Sequence, residues 1–228
     1  MIYVIGIGVE GKASLTERAA RLVDEAGLLV GGSRHLDEFP GAGGSKAAFK
    51  GLDDAASVMR GFLRKKKGHV AVLASGDPLL YGIGSFLLRE FGKDIVEVLP
   101  NVSAVQEAFA RIKEDMNGLK ILSVHGRQAD FNRLASEVFS TSKLALFTDR
   151  ENDPGRLSRE LLARGVPDLR AFVCSSLGTK KEKVFEGTLK KVAGRKSFDP
   201  LNVFIIMNGD GRLLDCGFGF RDDRFSHS

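Results

Sequence analysis

Short apolar runs alternate along this chain with longer stretches in which apolar residues recur every three or four positions. The runs at 2–7, 28–30, 70–74 and 95–99 are each followed by glycine, serine or proline, which predicts strands that stop abruptly. The run at 70–74 is apolar throughout, as expected of a strand covered on both faces. Between these runs Leu15, Ala19, Leu22, Val23 and Ala26 share one helical face. Leu52, Ala55, Ala56, Met59, Phe62 and Leu63 mark another, and further helices are expected through 86–91 and up to 112. Ser14-Leu15-Thr16-Glu17 reads as a capping box in which Ser14 and Glu17 satisfy each other's free amides. The glycine-rich stretch 33–51 is expected to be loop.

A polar, glycine-terminated segment at 113–118 reads as a linker, and the alternation restarts beyond it. Strands are expected at 119–124, 144–147 and 171–174, with helices at 131–139 and 157–162. Residues 177–196 are charged and read as partly helical, 203–207 as a closing strand, and 211–228 as a polar tail. The fold class expected is therefore α/β, with one α/β lobe at 1–114 and a second at 119–210.

Composition narrows the chemistry only a little. No apolar run approaches the ~20 residues that span a bilayer, and no signal-peptide pattern is present, so no membrane association is expected. Cys174 and Cys216 lie far apart, and the histidines at 35, 69, 125 and 227 are scattered. Neither a metal site nor a disulfide framework is expected, and a reducing, cytoplasmic setting is the default. The net charge of +5 suits nucleic acid, an anionic membrane or a small polyanion. With 2 Tyr, no Trp and no interleaving of basic with aromatic residues, nucleic acid is not expected as a partner. The run Arg64-Lys65-Lys66-Lys67 reads as a solvated helix end favoured by the helix dipole.

Three glycine-containing loops follow strands in the first half. Gly6-Ile7-Gly8-Val9-Glu10-Gly11 fits the dinucleotide fingerprint, but the second strand ends Leu29-Val30-Gly31-Gly32 without the carboxylate that would hold a ribose. The same residues nearly fit a phosphate-cradling loop, with Ala13 where that loop needs a metal-binding hydroxyl. A tight turn with no ligand remains open for this loop. The second loop, Ser75-Gly76-Asp77-Pro78-Leu79-Leu80-Tyr81-Gly82, allows close backbone approach to a ligand. The third, Pro100-Asn101-Val102-Ser103-Ala104, offers a hydroxyl that either caps the following helix or reaches a ligand. Loops at strand carboxyl ends line the ligand crevice of an open α/β sheet, so a small-molecule site is expected here.

These segments together resemble the tetrapyrrole methylases, the two-lobed methyltransferases of sirohaem and cobalamin synthesis. The resemblance rests on G-x-G at 6–8, Gly-Asp-Pro-x-x-Tyr-Gly at 76–82 and Pro-x-x-Ser-Ala at 100–104. Gly178-Thr179 and Glu186-Gly187-Thr188-Leu189 follow in the family's order. Where the family usually reads G-x-G-Pro-Gly, this chain has Val9-Glu10-Gly11. Pro100-Asn101-Val102-Ser103, Ser123-Val124-His125-Gly126-Arg127 and Leu146-Phe147-Thr148-Asp149 resemble the branch that methylates precorrin-6Y, more narrowly its ring-carbon-5 subunit.

The resemblance implies an active-site cleft between the lobes and S-adenosylmethionine as methyl donor, with S-adenosylhomocysteine as product. By resemblance the cofactor contacts come from Gly8, Ser75, Gly76, Asp77, Leu80, Ser103, Ala104, Phe147, Thr148 and Gly178. Tyr81, His125 and Arg127 would meet a polycarboxylate tetrapyrrole, and no residue is assigned to the chemistry itself. A homodimer is implied, together with a separate decarboxylating methyltransferase subunit as partner. The expected function is methylation of a precorrin. The alternatives are another tetrapyrrole methylase step, or a nucleotide- or dinucleotide-binding regulatory protein without methyl transfer.

Overall fold

In the computed structural model, which describes residues 1–42, 44–49, 51–65 and 68–209, two units each carry their own sheet. The expected tail at 211–228, and Lys66 and Lys67 of the cationic run, lie outside the described residues. The first unit comprises Met1–Arg111 together with Leu177–Lys181. The second comprises Ile112–Ser176 and the residues from Glu182 onward.

The first unit holds β1 (Ile2–Ile7), β2 (Leu28–Gly31), β3 (Ser45–Ala48), β4 (Val70–Ser75) and β5 (Val96–Leu99) in the order β3-β2-β4-β1-β5. Every pairing is parallel. Parallel neighbours need long crossovers. These are supplied by α1 (Glu17–Asp24), α3 (Leu52–Arg64) and α4 (Gly84–Phe91), and α5 (Ala104–Ile112) follows β5. The strand period of two divides β1 between the faces: Ile2 and Val4 pack with Met59 and Leu87, whereas Ile5 and Ile7 pack with Val23 and Phe39.

Two expectations for this unit need correction. Ser14 does not cap α1. Thr16 does, its hydroxyl accepting from the Ala19 amide at 3.2 Å. Ser14 instead ends a 3₁₀ turn at Gly11–Ser14, accepting from the Gly8 amide at 2.8 Å and donating to the Gly11 carbonyl at 2.7 Å. The stretch 33–51 is not all loop: it forms α2 (Ser33–Asp37) and the edge strand β3. Ser45-Lys46-Ala47-Ala48 carries no strand-forming side chains, so its place is set by the ladder to β2 and by Gly44 at φ 77°. α2 is held by Leu36 and by Phe39 just beyond it, both buried.

The second unit holds β6 (Leu119–Ser123), β7 (Lys143–Phe147), β8 (Arg170–Ser175), β9 (Lys183–Thr188) and β10 (Asn202–Met207), in the order β6-β7-β10-β8-β9. β6 and β7 are parallel, and the other pairings are antiparallel. α6 (Phe131–Ser140), α7 (Pro154–Ala163) and α8 (Leu189–Ala193) complete it. The closing strand expected at 203–207 is the last in the described chain and lies at the centre of the second sheet, where Phe204, Ile205 and Ile206 leave no polar face for an edge. The charged stretch 177–196 contains β9, which alternation did not reveal. As an edge strand it is partly exposed on both faces, with Glu186 paired across to Arg170 at 2.8 Å. Within 113–118, Glu114 reaches Arg170 at 2.9 Å and Asp115 reaches Lys143 at 2.8 Å, which ties that segment to the second unit. Cys174 is fully buried in β8, as expected of a core residue. Among the described residues no helix is long and apolar enough to cross a membrane.

Phe204 is fully buried at the middle of the second sheet. Phe204→Ala should cost about 3–5 kcal/mol, through lost burial and the cavity left behind. Urea unfolding followed by circular dichroism should show that loss as a lower midpoint.

Candidate active site

In the first unit β4, β1 and β5 are adjacent and parallel, so the loops after them emerge side by side at one edge. They touch through backbone. The Gly76 amide donates to the Ile7 carbonyl at 2.6 Å, and Asn101 Nδ2 donates to the Gly6 carbonyl at 3.1 Å and the Ser14 carbonyl at 3.0 Å. A Cβ on Gly6 would overlap the Gly76 carbonyl oxygen and stand 2.8 Å from the Asn101 amide. A Cβ on Gly76, whose φ is 58°, would stand 2.8 Å from the Ser103 Cα. Gly8 is closed in by Ser14 and by Asn101 Oδ1 at 3.1 Å. Gly178, at φ 73°, packs against the same region, and a Cβ there would run into the Val9 carbonyl.

The side chains on these loops are largely committed. Asp77 Oδ1 accepts from the Leu79 amide at 2.8 Å, so this carboxylate folds its own loop. Ser103 is buried and makes a reciprocal capping box: its amide donates to Gln106 Oε1 at 2.8 Å, and its hydroxyl accepts from the Gln106 amide at 3.2 Å. Ala104 opens α5 behind it. Leu80 is half-buried, and Tyr81 is exposed at φ 55°, a left-handed conformation unusual for a tyrosine. The first loop runs into a 3₁₀ turn and not directly into an α-helix, since α1 begins only at Glu17. The α-helix N-terminus at Gly11 on which the dinucleotide and phosphate readings depend is therefore missing.

A fourth strand end completes this edge. After β2, Arg34 and His35 lie on α2, and Ser75 Oγ lies 2.9 Å from His35 Nε2 and 3.5 Å from Arg34 Nη2. Burial lowers the His35 pKa and the Arg34 charge lowers it further, against the opposing pull of Glu38.

In the second unit the loops after β6 and β7 are joined by side chains bonded to backbone. His125 Nδ1 donates to the Thr148 carbonyl at 3.0 Å. Asp149 accepts from the amides of Gly126 at 2.6 Å, Asn152 at 2.7 Å and Glu151 at 2.9 Å. Desolvation raises the Asp149 pKa, but these amide bonds outweigh it and hold the carboxyl below its ordinary value. Asn152 Nδ2 donates to the carbonyls of Val124 and Arg127, each at 2.9 Å, which fixes the His125–Arg127 turn from beneath. Thr148 is buried and donates to Asn202 Oδ1 at 2.8 Å, and Phe147 beside it is half-buried. His125, Arg127, Arg150 and Arg156 line an open concavity of about 1010 Å³.

Residues 1–193 match the family model for tetrapyrrole (corrin/porphyrin) methylases. The chain belongs to the tetrapyrrole methylases. Among curated relatives, the cobalt-precorrin-7 C(5)-methyltransferase of Salmonella typhimurium is 38% identical over 184 residues, covering 81% of this chain and 89% of that protein. The precorrin-6Y C(5,15)-methyltransferase [decarboxylating] of a Sinorhizobium species is 30% identical over 99% of this chain, which spans 54% of that longer protein. Among solved structures, the precorrin-6Y methylase of Archaeoglobus fulgidus superposes with a TM-score of 0.65 at 20% identity, over 91% of this chain and 97% of its own. A uroporphyrin-III C-methyltransferase of Thermus thermophilus, complexed with S-adenosylhomocysteine, gives 0.70 at 23% identity, over 93% and 99%. At these identities the structures speak for the fold alone.

In this methylase the fold gathers Gly8, Ser75, Gly76, Asp77, Leu80, Ser103, Ala104 and Gly178 within the first unit. It brings His125, Arg127, Phe147 and Thr148 together within the second. Sequence reasoning missed Asn101 and Asn152 as the amides that lock the loops, and it missed the Arg34–His35 pair. The rule that strand carboxyl ends carry ligands pointed to that pair, because it follows β2 directly.

The packing at Gly6 generates a test. Gly6→Ala drives a methyl group into backbone and should cost about 1–3 kcal/mol. Gly61→Ala, in α3 with open space around it, should instead stabilise the chain by up to about 1 kcal/mol. Paired urea midpoints moving in opposite directions are the expected result.

Proposed function

We propose that this methylase transfers a methyl group from S-adenosylmethionine to carbon 5 of a precorrin in cobalamin biosynthesis, the position named for its Salmonella relative. The observation that carries the reading is the convergence of the loops after β1, β4 and β5, where glycines leave the backbone bare. Such a site suits the cofactor. Its amino-acid and adenine ends need backbone amides, carbonyls and hydroxyls rather than a phosphate nest, and no α-helix opens at Gly11. We assign Gly8, Ser75, Gly76, Asp77, Leu80, Ser103, Ala104, Gly178, Phe147 and Thr148 to its contacts. The Ser103 hydroxyl accepts from Gln106 and keeps its proton to donate, and the Thr148 hydroxyl donates to Asn202 and keeps its lone pairs to accept.

When bound, S-adenosylmethionine supplies a methyl already activated by its positive sulfur. The protein's task is then orientation, and proximity supplies most of the rate. A precorrin carries many carboxylates, and we assign Arg127 to pair with one bidentately; its exposed position beside His125, on a turn stiffened by Asn152, supports that role. Tyr81, held exposed at its strained turn, supplies a ring for the substrate to rest on. The Sinorhizobium relative is named for methylation at two positions and for decarboxylation, whereas the Salmonella relative is named for carbon 5 alone. On that division of names we assign the decarboxylating step to a separate subunit, and we propose a cytoplasmic homodimer.

Calorimetry with S-adenosylhomocysteine should give saturable heat, and a single turnover with labelled cofactor should label the precorrin. Heat with NAD or ATP but none with S-adenosylhomocysteine would overturn the reading. Arg127→Ala should raise KM for the precorrin by about tenfold or more, the worth of one charge-assisted pair, and leave cofactor affinity unchanged. An equal fall in cofactor affinity would remove Arg127 from the substrate side.

A further inference from the structure

His35 is an internal residue with a defined hydrogen-bonding problem. It is 9% exposed, and its Nδ1 is buried without a close partner, facing Glu38 Oε1 at 3.5 Å. Its Nε2 meets Ser75 Oγ at 2.9 Å. Burial, and after it the Arg34 charge, lower the His35 pKa against the opposing pull of Glu38, which favours the neutral ring with one proton. A bare Nδ1 lone pair facing a carboxylate would be repelled, so the proton belongs on Nδ1. Nε2 is then an acceptor, and Ser75 must donate its hydroxyl proton inward.

That polarity has an outward consequence. Ser75 is exposed, ends β4 and immediately precedes Gly76. With its proton committed to His35, the hydroxyl offers only lone pairs to a ligand at the loop edge, one of them toward Arg34 Nη2 at 3.5 Å. Glu38 extends the arrangement to the first loop. Its Oε2 accepts from the Lys12 amide at 2.9 Å, and Gly11, at φ 63°, has no room for a Cβ against the same carboxylate. One line of contacts, Lys12–Glu38–His35–Ser75, thus runs beneath both glycine loops.

We propose that His35 is a positioning residue that fixes Ser75 as a hydrogen-bond acceptor for an N–H group, ammonium or adenine amino, of the bound S-adenosyl cofactor. The inference rests on the methyltransferase reading. It assigns roles to His35 and Glu38, which touch no ligand, and it gives Ser75 a defined polarity.

The experiment is calorimetry with S-adenosylhomocysteine on the full chain and four variants. Ser75→Ala and His35→Asn should each weaken binding by about tenfold, since Asn reaches toward Glu38 but not toward Ser75. His35→Gln, whose amide oxygen reaches the Nε2 position, should restore near-native affinity, which a loss of packing alone would not allow. The double variant Ser75→Ala/His35→Asn should bind no more weakly than Ser75→Ala, because both act through one hydrogen bond. Melting curves without ligand check that each variant folds. Native binding by Ser75→Ala, or additive losses in the double variant, would overturn the proposal while leaving the methyltransferase reading intact. Absence of binding by the unaltered chain would overturn both.

Discussion

The constraint on which the candidate site depends is the contact of backbone with backbone at the end of β1. Gly6 lies between the chain leaving β4 and the chain leaving β5, and neither approach leaves space for a side chain. Once these crossings are made, the Gly76 amide finds the Ile7 carbonyl and Asn101 finds the carbonyls of Gly6 and Ser14. The loops are then held by groups that would otherwise be unpaired backbone at a sheet edge. That is why this edge can be rigid while carrying few side chains of its own.

The second unit solves the same problem with side chains. Asp149 gathers amides from Gly126, Glu151 and Asn152, and Asn152 returns its own amide to the carbonyls around His125 and Arg127. A carboxylate held below its ordinary pKa stays ionised and so keeps accepting. The cations on these two loops, Arg127 after β6 and Arg150 after β7, are thereby mounted on bonded turns while remaining exposed to solvent. Division of labour follows: buried or amide-bonded groups set the geometry, and exposed ones remain for a ligand.

Much of this was legible in the sequence. Runs such as Val70–Ser75 and helical faces such as Ala55, Ala56 and Met59 announce themselves because burial dictates their pattern. The strand-end loops were legible too, since glycine, proline and serine stop strands for local reasons. What escaped was set by contacts distant in sequence. Ser14 and Ser103 both head an S-x-x-[EQ] pattern, yet only Ser103 caps a helix, because Gly8 claims the Ser14 hydroxyl. β3 and β9 are edge strands without a clean apolar face, so neighbours rather than composition decide them. His35 looked like a scattered histidine because its partner Ser75 comes from another segment.

The place of β10 bears on how the protein is made. Ribosomes deliver β6 to β9 before β10, and until Asn202–Met207 emerges β7 and β8 face each other with no strand between them. The partners of the pairs β6–β7 and β8–β9 are both synthesised before β10, and without β10 each pair has an unpaired edge at β7 or β8. The first sheet has no such delay, because all its strands precede residue 100. Synthesis therefore yields one finished sheet and, for a time, two unmatched halves of another, which makes the late-translation nascent chain the stage at which chaperone shielding matters most.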